Sequence, residues 1–541
     1  MKTGAAVRQS QALEANDTGV ASVADEIELK LALPKSAVKA VKTHPLLVAA
    51  GPPKRVRLRS IYFDTPEFAL REHGASLRVR RVGRTWVQTF KQGGTADAGL
   101  HRRVEAECMV RGPAVDLAAL QEVAGAGPLS RKRIASRLIQ VFETVFARTT
   151  WELDTADGSR IEVALDQGEI WSAGRSAAIC EVELELLAGD PAALYRAALA
   201  LQEALPLCPE NLSKAERGYR LFGNEEPAPE RAAPIALLPQ MSPAQALGVI
   251  ASSCIAHLQA NVAGAQGKLD PEYVHQMRVA LRRLRAALGI FTKAVIPGVQ
   301  AIEGDLVTQL RALAAELGAA RDWDVFQEQT LQPLCMAFPE QPALKRLQQQ
   351  AAQRADAAYR RLQQVLGAPS YARLLLRLSA ALQSLQSGAA PIADAAQAGA
   401  GAGTDSAAES AVALRALART ALAKRHKRLA RDAAMLVDAD GGQRHGLRID
   451  AKKLRYAAEF FSGLFDAKAS ARYARKLAEL QELLGRLNDA ATAHVLLDML
   501  GPEPAARVPV EAWLAATQHE ALRELPGAAK GLMMADRFWK H

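Results

Sequence analysis

Between residues 25 and 187, runs of sequence alternate charged with apolar side chains, and the charges are sorted by sign from run to run. Glu26, Glu28 and Lys30 alternate with Ile27 and Leu29; Arg57 and Arg59 flank Leu58; Arg78 and Arg80 flank Val79. Glu105 and Glu107, Glu162 and Asp166, and Glu181, Glu183 and Glu185 continue the pattern. A period of two is that of a β-strand, whose successive side chains point to opposite faces. About nine strands are predicted, SRIEVALD and GEIWSA being two of them, broken by helical stretches near 34–49, 116–124, 130–143, 191–205 and 213–221. The charged faces either lie on the solvent side of an open sheet or line a closed barrel whose apolar outer face the helices cover. Three glutamates in a row on one face, acids and bases segregated by strand, and helices needing an apolar face to cover all favour the barrel.

A lumen of this kind is wet, and its chemistry follows from its charges. Facing carboxylates repel one another unless a hard divalent cation sits among them, and all-oxygen ligation suits Mg²⁺, with Mn²⁺ as the alternative. Guanidinium forks and lysines on facing strands suit the oxygens of a highly charged phosphate. Acids for metal and bases for phosphate in one tunnel imply metal-assisted chemistry on a polyphosphate chain.

Beyond a proline-rich linker at 223–243 the chain changes character. Residues 244–525 read as successive helices rich in Ala, Leu, Arg and Gln, and 526–541 as a C-terminal extension. A Gly/Ala-rich insert near 387–410 and a tail at 1–24 are expected to be disordered. Lys plus Arg outnumber Asp plus Glu by 37 to 28 over residues 241–541, against 31 to 30 before them, so a polyanion partner is expected for the second half alone. This half also repeats itself. At an offset of 170, His275, Arg278, Arg285 and Phe291 fall on His445, Arg448, Arg455 and Phe461; at an offset of 167, Leu317, Gly318 and Asp322 fall on Leu484, Gly485 and Asp489. On a helical wheel His275, Arg278, Arg282 and Arg285 share a stripe about 80° wide, and His445, Arg448, Lys452 and Arg455 repeat it. Two such stripes suit a concave surface for a long anion.

Glu26-x-Glu28-x-Lys30, IYFDTP, SLRVRR, Lys91 of TFKQ, RIEVALDQGE, ICEVELELL and LSKAERGY, in this order over 25–222, resemble the CYTH superfamily of triphosphate tunnel metalloenzymes. The resemblance implies a fold of the α+β class: an N-terminal closed antiparallel β-barrel with outer helices. It implies Glu26, Glu28, Asp166, Glu181 and Glu183 as metal ligands, one ion holding the triphosphate and another activating water. Lys30, Arg57 or Arg59, Arg78, Arg80, Lys91 and Lys214 become triphosphate ligands, and Glu26, Glu28 and Lys30 the catalytic set. Glu107 and Glu185 share the inward face with a less definite role. The helical half resembles the CHAD domain, an all-α duplicated bundle, on His275 and His445 with their basic residues and on LGAARDWDVF and LGRLNDA. That resemblance implies inorganic polyphosphate binding by His275, Arg278, Arg282, Arg285, His445, Arg448, Lys452 and Arg455, with Asp322 and Asp489 capping helices or holding basic side chains.

The arrangement together resembles bacterial inorganic triphosphatases, which implies hydrolysis of inorganic triphosphate to pyrophosphate and phosphate. The alternatives are a non-catalytic polyphosphate-binding or granule-targeting protein, a class IV-type adenylyl cyclase, or a thiamine triphosphatase. The five cysteines are widely spaced without a CxxC, so neither a disulfide framework nor a zinc site is indicated. No stretch reads as a membrane span or a cleavable leader, and a cytoplasmic protein, associated with polyphosphate granules in one reading, is expected. Neither membrane nor nucleic acid is an expected partner.

Overall fold

The structure, a computed structural model, describes residues 22–97, 99–124, 127–292, 302, 304–387, 406–435 and 440–540. Most of the N-terminal tail and of the Gly/Ala-rich insert therefore lies outside the described residues. The chain divides into two compact units, one within Met1–Ala228 joined by Pro369–Ala380, the other made of Pro229–Ala368 and Ala381–His541.

The first unit is built on β1 (Ser22–Ala32), β2 (Lys54–Asp64), β3 (Ala75–Val82), β4 (Thr85–Asp97), β5 (Leu100–Val110), β6 (Ile139–Asp154), β7 (Arg160–Ser172), β8 (Arg175–Ala188) and the two-residue β9 (Cys208–Pro209). Neighbours run antiparallel in the order β5-β4-β3-β2-β6-β7-β8-β1-β9, and β1 pairs back onto β5, so eight strands form a ring. One strand closes it by changing partner along its length: residues 22–29 pair with β5 and residues 28–32 with β8.

Two local expectations fail. SRIEVALD and GEIWSA form a single strand, β7, because Gly168 continues the ladder against Phe146; a Cβ there would stand 2.1 Å from the Val145 carbonyl oxygen. The helix expected near 130–143 shrinks to Lys132–Ala135, and Ile139 onward belongs to β6. Ile134, Leu138, Val141 and Phe142 mimic helical spacing, but β6 is hydrogen-bonded on both flanks, by β2 and β7, and tertiary pairing overrides local pattern.

The apolar outer faces are covered in patches. Leu29, Leu31, Val163, Leu165, Val182 and Leu184 pack with Leu194, Ala198 and Leu201 of the helix Ala192–Gln202, and Leu376 and Ala380 of the Pro369–Ala380 segment join this cluster. The helix Lys214–Gly223 fills one end of the lumen: its Ala215 and Tyr219 meet Leu58, Phe142, Phe146 and Ile170. Gly218 lets it approach, since a Cβ would lie 2.3 Å from the Phe142 ring. That end of the lumen is packed and apolar, where the sequence suggested a wet interior throughout.

The second unit is helical. Its first long helix, Pro243–Ala260, continues through Val262–Gly267, and this 25-residue stretch is long and apolar enough to cross a membrane, against the sequence expectation that none is. Over half of its most apolar window is buried, with Leu247, Ile250, Cys254 and Leu258 almost fully enclosed, which is the pattern of a core helix. The repeated segments are the helices Pro271–Phe291 and Gly441–Phe461, started by the N-caps Asp270 and Asp440, so that His275 and His445 are each the fifth residue. Phe291 and Phe461, equivalent in the repeat, meet with ring centroids 6.1 Å apart.

Candidate functional site: a tunnel of ion pairs and a cluster of crowded cations

Alternation along the strands turns the charged positions inward. A cavity in the barrel is lined by Glu26, Glu28 and Lys30 of β1, Arg78 and Arg80 of β3, Lys91 of β4, Arg148 of β6, Glu183 and Glu185 of β8, and Lys214. Six cations and four carboxylates thus line the cavity, and Asp166, Glu181 and Glu105, outside that lining, pair with the same cations. Lys214 arrives from a different element. Ser213 caps the helix Lys214–Gly223 by accepting from the Glu216 amide at 3.1 Å, which sets Lys214 in the first helical turn.

Cross-strand register explains the contacts. Lys30 stands opposite Glu183, and Asp166 opposite both Glu181 and Arg148. Asp166, Glu181 and Glu183 are buried, and each offers an oxygen within 4.8 Å of the others. Lys214 sits among all three, 2.6 Å from Asp166 and 2.9 Å from Glu183, and also pairs with Glu181. Arg148 donates a fork to Asp166 at 2.8 and 2.7 Å and a further bond to Glu183. Lys30 pairs with Glu183 and, at 2.7 Å, with Glu28. Burial alone would raise the Glu183 carboxyl, yet Lys214, Lys30 and Arg148 together hold it well below the usual carboxylate range. Asp166 is lowered against burial by Arg148 and Lys214. The same attraction, outweighing burial, raises Lys30 and Lys214.

On the other wall Lys91 pairs with Glu26 at 2.5 Å and Glu105 at 3.4 Å, and Arg78 with Glu105 at 3.2 Å. Glu107 accepts from Thr89 and lies 3.9 Å from Arg78. Arg80 differs. It donates to Ser60 at 2.9 Å, and no carboxylate lies within ion-pair distance of it among the described residues. Burial, and then Arg78 beside it, lower its guanidinium to about 10.

Three buried carboxylates offering only oxygen fit a hard divalent cation. Glu26 and Glu28 line the same cavity but belong to other ion pairs and stand outside that trio. Arg57 and Arg59, expected as phosphate ligands, are not in the tunnel at all. On β2 the inward positions are Leu58, Ser60 and Tyr62, so Arg57 and Arg59 are exposed on the outer face, where Arg59 pairs with Glu143 at 2.8 Å. Arg148 and Arg217, the latter paired with Glu181, were missed. Arg148 falls in ARTTWEL, a run expected as a strand, where its alternation with Ala147 and Thr149 could have found it.

In the helical unit the two stripes converge. Lys452 feels Arg282, Arg448 and Arg278 as neighbouring cations, with Asp489 in opposition. Arg278 donates to the Gly318 carbonyl at 2.8 Å and to Asp322 at 3.2 Å, and in the second copy Arg448 lies 4.0 Å from Asp489. Both aspartates sit within helices, Asp305–Phe326 and Ala467–Leu500, and hold arginines rather than cap. Burial and then these neighbouring arginines lower Lys452 to about 6; burial likewise lowers Arg278 and Arg448 despite their aspartates. His275 is half-buried and lowered to about 4, by burial first, against the pull of Glu272. His445 is exposed, with Nδ1 2.9 Å from Asn488 Oδ1. Arg285 and Arg455 are exposed further along, Arg285 near Arg311 and Arg455 donating to Gln481.

The CYTH domain family matches residues 24–219 and the CHAD domain family residues 249–498. An inorganic triphosphatase from Haemophilus influenzae is 29% identical over 202 residues, covering 37% of this chain and 56% of that protein, so the chain spans about half the length of this curated relative. Among solved structures, the CHAD domain from the plant Ricinus communis is 32% identical with a TM-score of 0.47, covering 57% of this chain and 98% of that one. A candidate adenylyl cyclase from Hippeastrum with a dominant triphosphatase activity is 16% identical with a TM-score of 0.29, covering 37% of this chain and 97% of that one. The charged barrel lies within the first match and the duplicated basic helices within the second, so this chain carries a CYTH domain followed by a CHAD domain.

Proposed function

We propose that the barrel hydrolyses inorganic triphosphate to pyrophosphate and phosphate, and that the helical unit binds inorganic polyphosphate. The observation that carries the first part is the division of labour in the lumen. Asp166, Glu181 and Glu183 form one oxygen-only cluster, while Arg78, Arg80, Lys91, Lys30, Arg148 and Lys214 surround the cavity with donors. Asp166, Glu181 and Glu183, with Glu26 and Glu28 beside them, would hold Mg²⁺ or Mn²⁺. Bound there, the cation would screen the charge of the phosphate chain and polarise its phosphoryl oxygens. Arg80 lacks a carboxylate and so offers its fork to substrate; Arg78 and Lys91 can exchange carboxylate for phosphate oxygen. Lys214 and Arg148 position the carboxylates and are placed to stabilise charge as it develops on the departing phosphate. The apolar plug of Phe142, Phe146 and Tyr219 closes one end against water.

The second part rests on the convergence of Arg278, Arg282, Arg448 and Lys452 from the two repeats with too few acids to balance them. Phosphate release from tripolyphosphate, ATP and thiamine triphosphate in the presence of Mg²⁺ tests the enzyme reading. Tripolyphosphate should be preferred. Cyclic AMP from ATP would replace it with a cyclase, and tight polyphosphate binding without turnover would leave a binding protein.

A further inference from the structure

The arginines that fail to enter the tunnel form a feature of their own. Arg55, Arg57 and Arg59 stand exposed on alternate positions of β2, on a part of the outer sheet face that leaves all three open among the described residues. Successive side chains on one face are spaced by about 6.8 Å, so the row extends over roughly 14 Å. Arg81 of β3 stands directly opposite Arg59 and is also exposed. Like charges directly opposite on neighbouring strands are destabilising. Among the described residues, Glu143, on Arg59, is the one carboxylate with an ion pair to these four, and Arg55 and Arg57 have no ion-pair or hydrogen-bond partner. The same stretch of β2 turns Val56 inward, opposite Arg148, and Val56 is 37% exposed. An exposed inward residue marks an open rim of the lumen, so the row runs along the outside of that rim.

We propose that Arg55, Arg57, Arg59 and Arg81 form an external track for long-chain inorganic polyphosphate, holding the chain beside the open end of the tunnel. The proposal rests on the reading that the tunnel takes phosphate chains. The charge complement fits a polymer that carries charge at every unit, and guanidinium forks match phosphate oxygens. A single-stranded nucleic acid would also need faces on which to stack its bases. Beside Arg55 and Arg57 the sheet offers Ala147 and Thr149; Trp86 is already met by the Arg81 guanidinium at 6.0 Å, and the exposed Trp171 stands on β7 opposite Glu143 rather than beside these two arginines.

The test uses the full chain carrying Arg278→Glu and Arg448→Glu, so that the helical site does not mask the result, with and without Arg55→Glu and Arg57→Glu. Affinity for long-chain sodium polyphosphate should fall at least about tenfold on adding the β2 pair, and the slope of log affinity against log salt should drop by about 1–2 units. In otherwise wild-type protein the β2 pair should leave kcat/KM for tripolyphosphate unchanged. Unaltered affinity and slope would overturn the track. Single-stranded DNA of equal charge bound more tightly than polyphosphate, and lost with the same pair, would overturn the choice of occupant. If wild-type protein fails to hydrolyse tripolyphosphate, the tunnel reading fails while the binding measurement still judges the track.

Discussion

The lumen of the barrel and the basic cluster of the helical unit both concentrate buried cations, yet their lysines shift in opposite senses. Lys30, Lys91 and Lys214 are raised above the ordinary lysine value because each is bound to carboxylates; Lys452 is lowered to about 6 because burial and three arginines outweigh one aspartate. The tunnel is an ion-pair network that a ligand must rearrange. The helical cluster is a set of cations that outnumber the aspartates beside them, Asp322 and Asp489. The first arrangement can be selective, since a ligand must replace what it displaces; the second suits attraction of any sufficiently charged polymer.

Removing a carboxylate should therefore harm the tunnel, and removing a cation should spare the bundle. Glu183→Ala strands Lys30, Lys214 and Arg148 together and should cost about 3–5 kcal/mol of stability in urea unfolding. A loss under about 1 kcal/mol would mean the network is solvated and the contrast false. Next, Arg148→Ala should reduce kcat for tripolyphosphate by about 10²–10³-fold with the fold retained, the range seen when a donor to developing charge is removed. In the bundle, Arg278→Glu with Arg448→Glu should weaken polyphosphate binding by about 10–100-fold at low salt, the difference shrinking as salt rises.

The smallest effect carries the sharpest sign. With Lys452 near 6 in the folded chain and 10.5 in an ordinary lysine, the unfolded chain binds more protons between those values, so Lys452 makes stability rise with pH across that window. Lys452→Met should flatten this rise and stabilise the protein by about 1 kcal/mol at pH 5, where the wild type is charged in both states and buries that charge only on folding. Polyphosphate binding at pH 8 should take up a proton in wild type and not in Lys452→Met, read by calorimetry in buffers of different ionisation enthalpy. Stability that falls with pH over this range would reverse the picture.

Sequence alternation revealed the tunnel wherever strand parity could be counted from a firm start. Glu26, Glu28, Lys30, Arg78, Arg80 and Lys91 all line the cavity on that ground. Arg57 and Arg59 show its limit: charge on alternate positions does not say which face is inside, and on β2 the inner face is Leu58, Ser60 and Tyr62. Arg148 shares its strand face with Thr150 and Glu152 rather than with a second base, so no charge row marks it, and its fork to Asp166 depends on a register that only strand pairing sets. The repeat in the helical half was legible because both copies keep the same interval from helix start to histidine. That Leu376 and Ala380 pack against the barrel was not, since a leucine-rich helix does not announce which core it joins.

Phosphate release from tripolyphosphate by the wild-type chain and by Glu28→Gln, each with Mg²⁺ and with a chelator, bears most directly on the whole account. Rapid release by wild type with Mg²⁺, abolished both by chelation and by Glu28→Gln in a protein that melts as wild type does, is the predicted result. Release that persists in the chelated enzyme or in folded Glu28→Gln would contradict a metal-dependent triphosphate tunnel.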